Sequence, residues 1–309
     1  MTSHARPSTA GHFELKIDQQ VTTAYLKSVD GGHIKSAVMD EPVGHGHQRI
    51  KHSSVAEIEP ISIELGLAGA DDILTWIQGS WRQRFARHSG QITHADFDLR
   101  ATLEHQFVDA LITETVFPTL DGASKETGYI KIKIQPENVI TTRIEPGDQK
   151  ISAVMGTKQK LWTASAFRFT IDSIPEFEQV NKLDSFTIKQ GIKKLYTGID
   201  RFPQIEPTKL EFPHLTGTLA SYYCKALHDW HDKANKVGSA DPSVQKHGSI
   251  EFLAPNLKDV LFRIELQEVG LFSLSTVAST ANSSEIKRTK FELYVGRMDI
   301  DGKGKLGLD

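Results

Sequence analysis

One cysteine, Cys224, stands in a chain of 309 residues. A lone thiol excludes an intrachain disulfide and any zinc site built from several cysteines. It fits assembly in the cytoplasm. Long apolar runs are missing too: nothing approaches the roughly eighteen residues that a membrane-crossing helix needs, so no membrane insertion is expected. The opening "MTSHARPSTAGH" is polar and has no apolar h-region, which argues against a signal peptide. Neither sign of charge is in excess, with 36 Lys and Arg against 39 Asp and Glu. That balance leaves no basic footprint for nucleic acid and no acidic tail. Hydrophobic residues at 39% and charged residues at 24% match an ordinary globular chain, and the length suits about two average domains.

Catalytic signatures are scarce as well. "GASKETG" and "DGKGKLG" match neither a phosphate loop nor a dinucleotide fingerprint, and no G-x-S-x-G elbow occurs. Asp71 and Asp72 read as helix-start acids rather than a catalytic pair. Cys224, in "SYYCKAL", reads as a small buried residue in mid-helix, with no neighbour to activate it. His228 and His231 in "HDWH" stand about one turn apart and flank Trp230, which leaves them partly toward solvent. The sharpest cluster is "HGHQRIKH", with His45, His47 and His52. An H-x-H pair on extended chain puts two imidazoles on one side and can ligate zinc or nickel. No carboxylate or cysteine completes the set, so these residues read as a solvated loop. No metal, cofactor or active site is expected.

What the chain does contain is a repeat. "FELKID" from Phe13 returns as "FRFTID" from Phe167, 154 residues later (167 − 13). The same separation links Val29 to Leu183, Ile34 to Ile188 and Lys35 to Lys189, across "SVDGGHIKSAV" and "KLDSFTIKQGI". "IEPISIEL" at Ile58 matches "IEPTKLEF" at Ile205, a separation of 147 (205 − 58). The first copy then carries a loop seven residues longer, "MDEPVGHGHQRIKHSSVAE". Further matches pair Phe97 with Ile250 and Ile130 with Phe291. A duplicated domain is expected.

Within each copy, period-two alternation predicts strands at Phe13–Ile17, Ile61–Leu65, Ile130–Ile134 and Phe167–Ile171. Ile73, Leu74, Ile77, Trp81 and Phe85 predict one amphipathic helix. Leu219, Tyr223, Ala226, Leu227 and Trp230 predict its counterpart. The fold class is therefore mainly β with one helix per module: two tandem antiparallel β-barrel or sandwich domains. The expected layout is a flexible N-terminus (1–12), a first domain (13–140), a linker (141–165), a second domain (166–300) and a mobile tail (301–309). The linker is expected to hold a short strand near Ile151–Met155.

"FELKID", "LKSVDGGHIKSAV", a variable loop, "ISIEL", a Trp-bearing helix and "GYIKIKIQPENV" follow one another from Phe13 to Ile140. In that order they resemble the tail tube proteins of contractile-tail phages and of phage-like injection systems. Residues 166–300 resemble them less closely. The resemblance implies small β-barrel domains that form six-fold rings around a lumen and stack into a tube, with no catalytic residues. Tube subunits usually carry one such domain, whereas this chain carries two, as tail hub proteins do when three chains make a pseudo-six-fold ring. Strands Tyr129–Ile134 and Phe291–Val295 are then expected at a ring interface, through Tyr129, Lys131, Lys133, Glu292 and Tyr294. The loop Met39–Glu57, with His45, His47, Arg49 and Lys51, would reach the next ring. Partners would be further copies of itself and the sheath, hub or baseplate proteins of one virion or tail-like particle. A duplicated β-sandwich that binds carbohydrate or another ligand is the alternative. An enzyme on the same scaffold comes third.

Overall fold

A computed structural model describes residues 11–44, 48–67, 69–145, 149–152, 162–197, 202–238, 241–277 and 286–301. The first half runs β1 (His12–Ile17), β2 (Gln20–Val21), β3 (Leu26–Asp30), β4 (Ile34–Pro42), β5 (Arg49–Ile58) and β6 (Ile61–Leu65). Helix α1 (Asp71–Trp81) follows, then β7 (His88–Ala95), β8 (Ala101–Phe117), β9 (Leu120–Asp121), β10 (Ile130–Gln135) and β11 (Asn138–Arg143). The second half runs β12 (Phe167–Ile171), a 3₁₀ turn, β13 (Val180–Leu183), β14 (Phe186–Leu195), β15 (Gln204–Glu211) and β16 (Leu215–Ala220). A short 3₁₀ turn leads into α2 (Lys225–Val237), then β17 (Lys246–Leu253), β18 (Val260–Thr276) and β19 (Arg288–Asp301).

The two halves pair in the same order, antiparallel throughout. In the first it is β1-β7-β8-β10-β6-β3, and in the second β12-β17-β18-β19-β16-β13. Pairing fixes the equivalences residue by residue. Leu65 faces Leu26 as Leu219 faces Val180, and Ile63 faces Val29 as Gly217 faces Leu183. Thus β6 corresponds to β16, and Leu219 still lies 154 residues after Leu65 (219 − 65). This overturns the equation of "ISIEL" with "TKLEF", because "TKLEF" begins inside β15, one strand too early. No seven-residue insertion exists, and the segment read as a variable loop is mostly the β4–β5 hairpin. Past the helices the spacing widens: Gly90 faces Ile17 as Gly248 faces Ile171, 158 residues apart (248 − 90). Ile132 faces Ile63 as Phe291 faces Gly217, which moves the Ile130–Phe291 match by two residues.

Backbone details repeat with the pairing. Asp109 in β8 and Glu268 in β18 both adopt positive φ, at 49° and 55°. Each sits at a register shift that lets a 17-residue strand bend and serve more than one partner. Gly90 and Gly248 lie where a neighbouring strand presses close. A Cβ there would meet the Lys16 carbonyl oxygen at 2.1 Å, or that of Thr170 at 2.4 Å. One difference is local: β19 runs unbroken where Pro136, with no N–H to donate, separates β10 from β11.

The helices are shorter than their sequence patterns. Helix α1 ends at Trp81, and Phe85 lies past it in a turn at positive φ. Asp71 and Asp72 occupy its first turn, while Ala70 takes the cap position. Helix α2 starts only at Lys225, so Leu219 belongs to β16 and Tyr223 to the turn between them. Cys224 therefore caps the helix instead of sitting in its middle, though it is buried as expected. Of the expected short strand, Ile151 is buried outside any strand, Ser152 is not in one either, and Met155 lies outside the described residues.

One hydrophobic core runs through both halves. Phe117 is its hinge: the ring stacks on Phe186 at 4.9 Å and tilts against Phe252 at 5.6 Å and Phe262 at 6.2 Å. Trp162 is buried in the same core against Phe252, so part of the segment read as linker is packed. No described helix is long and apolar enough to cross a membrane.

Candidate assembly surface

The alternation that buries Ile130, Ile132 and Ile134 turns Lys131 and Lys133 to the opposite face of β10. Lys133 lies beside Ser62 of β6 on one flank and Glu114 of β8 on the other, with its Nζ 2.9 Å from the Glu114 carboxylate. Glu114 is opposite Lys189 of β14, and Lys189 opposite Glu211 of β15. The row Ser62–Lys133–Glu114–Lys189–Glu211 thus crosses five strands with alternating charge. A second row runs through Glu64, Lys131, Val116 and Thr187. Lys27 binds Glu64 at 3.1 Å and lies over the Tyr129 ring at 4.6 Å. Such cross-strand pairs of opposite charge support a sheet face that stays wet.

The wall is built across the two halves, because β14 of the second half docks on the edge of β8 of the first. Four residues pair there: Phe186 with Phe117, Thr187 with Val116, Ile188 with Thr115 and Lys189 with Glu114. Side chains lock the joint. Arg82 Nε donates to Asp299 at 2.9 and 3.0 Å, and Gln78 Nε2 donates to the Ile300 carbonyl at 2.6 Å. Arg87 donates to the Ile205 carbonyl and to Glu206 at 3.2 Å, and Glu137 accepts the Ile205 amide at 2.8 Å.

Of the residues singled out in the sequence, Tyr129, Lys131 and Lys133 share one face of this wall. Glu292 and Tyr294 share a face of β19 in the other sheet, where Glu292 binds Lys290 at 2.7 Å and Tyr294 covers Gly270. Arg49 and Lys51 lie on one face of the β4–β5 hairpin, where Arg49 binds Asp40 at 2.8 Å. His52 is opposite Met39 on the other face, while His45 and His47 lie outside the described residues. Glu114 and Glu211 escaped the sequence reading, and Lys189 entered it only as a repeat match. Their signal was the Lys and Glu alternation of "TIKQGIKKL" and "PTKLE", legible only once the strands are aligned.

A histidine cluster also went unseen, because its members are far apart in sequence. His33 packs on His105 with ring centroids at 5.6 Å, and His94 packs on His105 at 5.3 Å. Burial, reinforced by His105 and His33, pushes the His94 imidazole down to about 4 from the usual 6.5. Burial and His33 likewise lower His105, whose Nδ1 hydrogen-bonds Thr141 Oγ1 at 2.8 Å. His94 Nε2 is buried without a hydrogen-bond partner among the described residues. The equivalent positions hold Phe252 and Ile264 in the other half, so these imidazoles pack as neutral core rings. Among the described residues no three His, Cys, Asp or Glu side chains are placed to hold a metal.

A cleft of about 720 Å³ opens beside Lys16, Asp18, Gln91 and Gln106, and one of about 300 Å³ opens at the equivalent place beside Thr170, Asp172, Ser249 and Glu265. Apart from the aspartates the side chains differ in kind. The fold repeats the position of the cleft without repeating its size or chemistry.

No family model matches the sequence, and no curated protein matches it. Among solved structures, the chain is similar to one in the sheath-tube complex of an extracellular contractile injection system, PVC, in the extended state. The TM-score is 0.39 at 16% identity, over 45% of this chain and 93% of that one. A chain of the PVC sheath/tube terminator gives 0.40 at 15% identity, over 45% and 99%. One from the tube-terminating cap of the anti-feeding prophage gives 0.38 at 13%, over 45% and 93%. Each likeness spans less than half of the present chain.

Proposed function

We infer that the chain is a non-enzymatic structural subunit that assembles with copies of itself into rings of a phage-like tail or contractile injection tube. The observation that carries this reading is the intrachain joint. Two halves with the same pairing order are welded by β14 on β8 into a sheet with one apolar and one charged face. A module that adds its hairpin to the next module's edge is the unit from which a closed β-wall is built, since each joint removes an otherwise unpaired edge. The sequence resemblance of residues 13–140 to tail tube proteins points the same way. The two modules, 13–140 and 166–300, then stem from one duplicated domain, and three chains would present six modules around a lumen. Lys131, Lys133, Glu114 and Lys189 would face that lumen, and Glu292 and Tyr294 would continue it. Sheath, hub or baseplate proteins of the same particle are the further partners. Negative-stain electron microscopy of the purified chain tests the reading: rings or tubes with a central hole are expected, and discrete compact monomers at all concentrations would overturn it.

A further inference from the structure

The joint inside the chain leaves one donor and one acceptor unused. Hairpin β14–β15 is docked, but its equivalent, β4–β5, forms a two-stranded sheet of its own. Four large apolar side chains of that hairpin are more than half exposed: Val38 at 69%, Ile50 at 56%, Val55 at 54% and Ile34 at 53%. In the acceptor, the segment of β8 covered by β14 corresponds to Ser273–Thr276 of β18. Among the described residues those four pair on one side only, with β19. Apolar surface is exposed there too, at Phe272 and Val277.

We propose that β4 of one chain docks on Ser273–Thr276 of β18 in a second copy of this chain, in the register that β14 takes on β8. This deepens the ring reading above and rests on it. The equivalences set the register: within β4, Ile34 stands opposite Leu274 and Lys35 opposite Ser273, while His33 and Gly32, which precede the strand, lie toward Ser275 and Thr276. Charge repeats only on the donor side, where Lys35 and Glu57 match Lys189 and Glu211. Glu292 flanks Ser273 on β19, and Glu57 flanks Lys35 on β5. The row across the interface becomes Glu292–Ser273–Lys35–Glu57, in which Ser273 takes the place of Glu114, so Lys35 keeps one directly opposite carboxylate, Glu57, where Lys189 has two. The aromatic stack does not carry over, since Thr276 and Gly32 stand where the internal joint has Phe117 and Phe186. Main-chain pairing and the exposed aliphatic side chains therefore hold the chains together. Because the donor lies in one half and the acceptor in the other, the contact is head-to-tail, which closes into a ring or propagates.

Paired cysteines test the register. Lys35→Cys with Ser273→Cys places two thiols directly opposite one another, within the roughly 4.4–6.8 Å Cα spacing that a disulfide spans. Lys35→Cys with Thr276→Cys is shifted by three residues, about 10 Å along the strand and out of reach. Glu114→Cys with Lys189→Cys, across the joint inside the chain, is the positive control and should oxidise within single chains. The native Cys224 is buried and stays in all variants. After mild oxidation the matched pair is expected to convert most of the protein into multiples of 34.4 kDa on non-reducing gels, at least tenfold more than the shifted pair. Rings seen by microscopy with no such multiples, or with equal yields from both pairs, would overturn this joint while leaving the ring reading intact. A chain that stays monomeric would remove both.

Discussion

Acidification from pH 7 to pH 5 should weaken the fold through His94. Its imidazole titrates near 6.5 in the unfolded chain and about 4 in the folded one, chiefly because it is buried. The folded pKa is the lower, so the unfolded state binds the extra proton first and stability falls as pH drops through the interval from 6.5 to 4. Between pH 7 and 5 the full shift corresponds to about 2 kcal/mol, and partial solvent exposure reduces that to about 1 kcal/mol. His105 is shifted the same way and adds to the loss. Asp71 acts in the opposite sense: its pKa is raised by burial and by Asp72, so its effect appears at lower pH, where protonation favours the fold. Urea unfolding at both pH values gives the difference directly. His94→Phe supplies the residue found at the equivalent position, Phe252, and removes a buried nitrogen that has no hydrogen-bond partner among the described residues. That variant should be at least as stable as the wild type at pH 7 and should lose about half of the pH dependence. An unchanged pH dependence in the variant would refute the assignment to this cluster.

Four further substitutions probe the fold and the joint. Gly90→Ala should cost more than about 2 kcal/mol in urea unfolding, because its Cβ would lie 2.1 Å from the Lys16 carbonyl oxygen. Gly79→Ala on α1, with nothing within 4 Å, should instead stabilise by about 0.5–1 kcal/mol. Phe117→Ala removes the ring on which Phe186, Phe252 and Phe262 converge and should cost about 3–5 kcal/mol, with unfolding split into two transitions. Arg82→Ala leaves Asp299 with no arginine partner at a partly buried site and should cost about 1 kcal/mol in the same assay.

The core was readable in the sequence because period-two alternation and burial coincide: Ile130, Ile132 and Ile134 are all fully buried. The pairing of Phe13 with Phe167 was readable for the same reason. The "IEP" match misled, since one copy closes β5 and the other opens β15, so a three-letter identity at opposite ends of equivalent strands shifted the register. The β4–β5 hairpin looked like a loop because most of it is exposed on both faces, and only Ala56 and Ile58 at the end of β5 turn toward the core. Leu219 was taken into the second helix because it fits a helical stripe as well as the strand in which it lies. The charged wall was legible only in its β10 part, Tyr129, Lys131 and Lys133. Lys133, Glu114, Lys189 and Glu211 come from four strands spread over both halves, and only the docking of β14 on β8 brings them into one row.

The central claim is that the joint between the halves is repeated between chains. Mass photometry of the purified chain across micromolar concentrations measures this most directly. The account predicts one discrete closed species at a whole-number multiple of 34.4 kDa, persisting on dilution, with three chains as the expected number. A single species at 34.4 kDa throughout would contradict it.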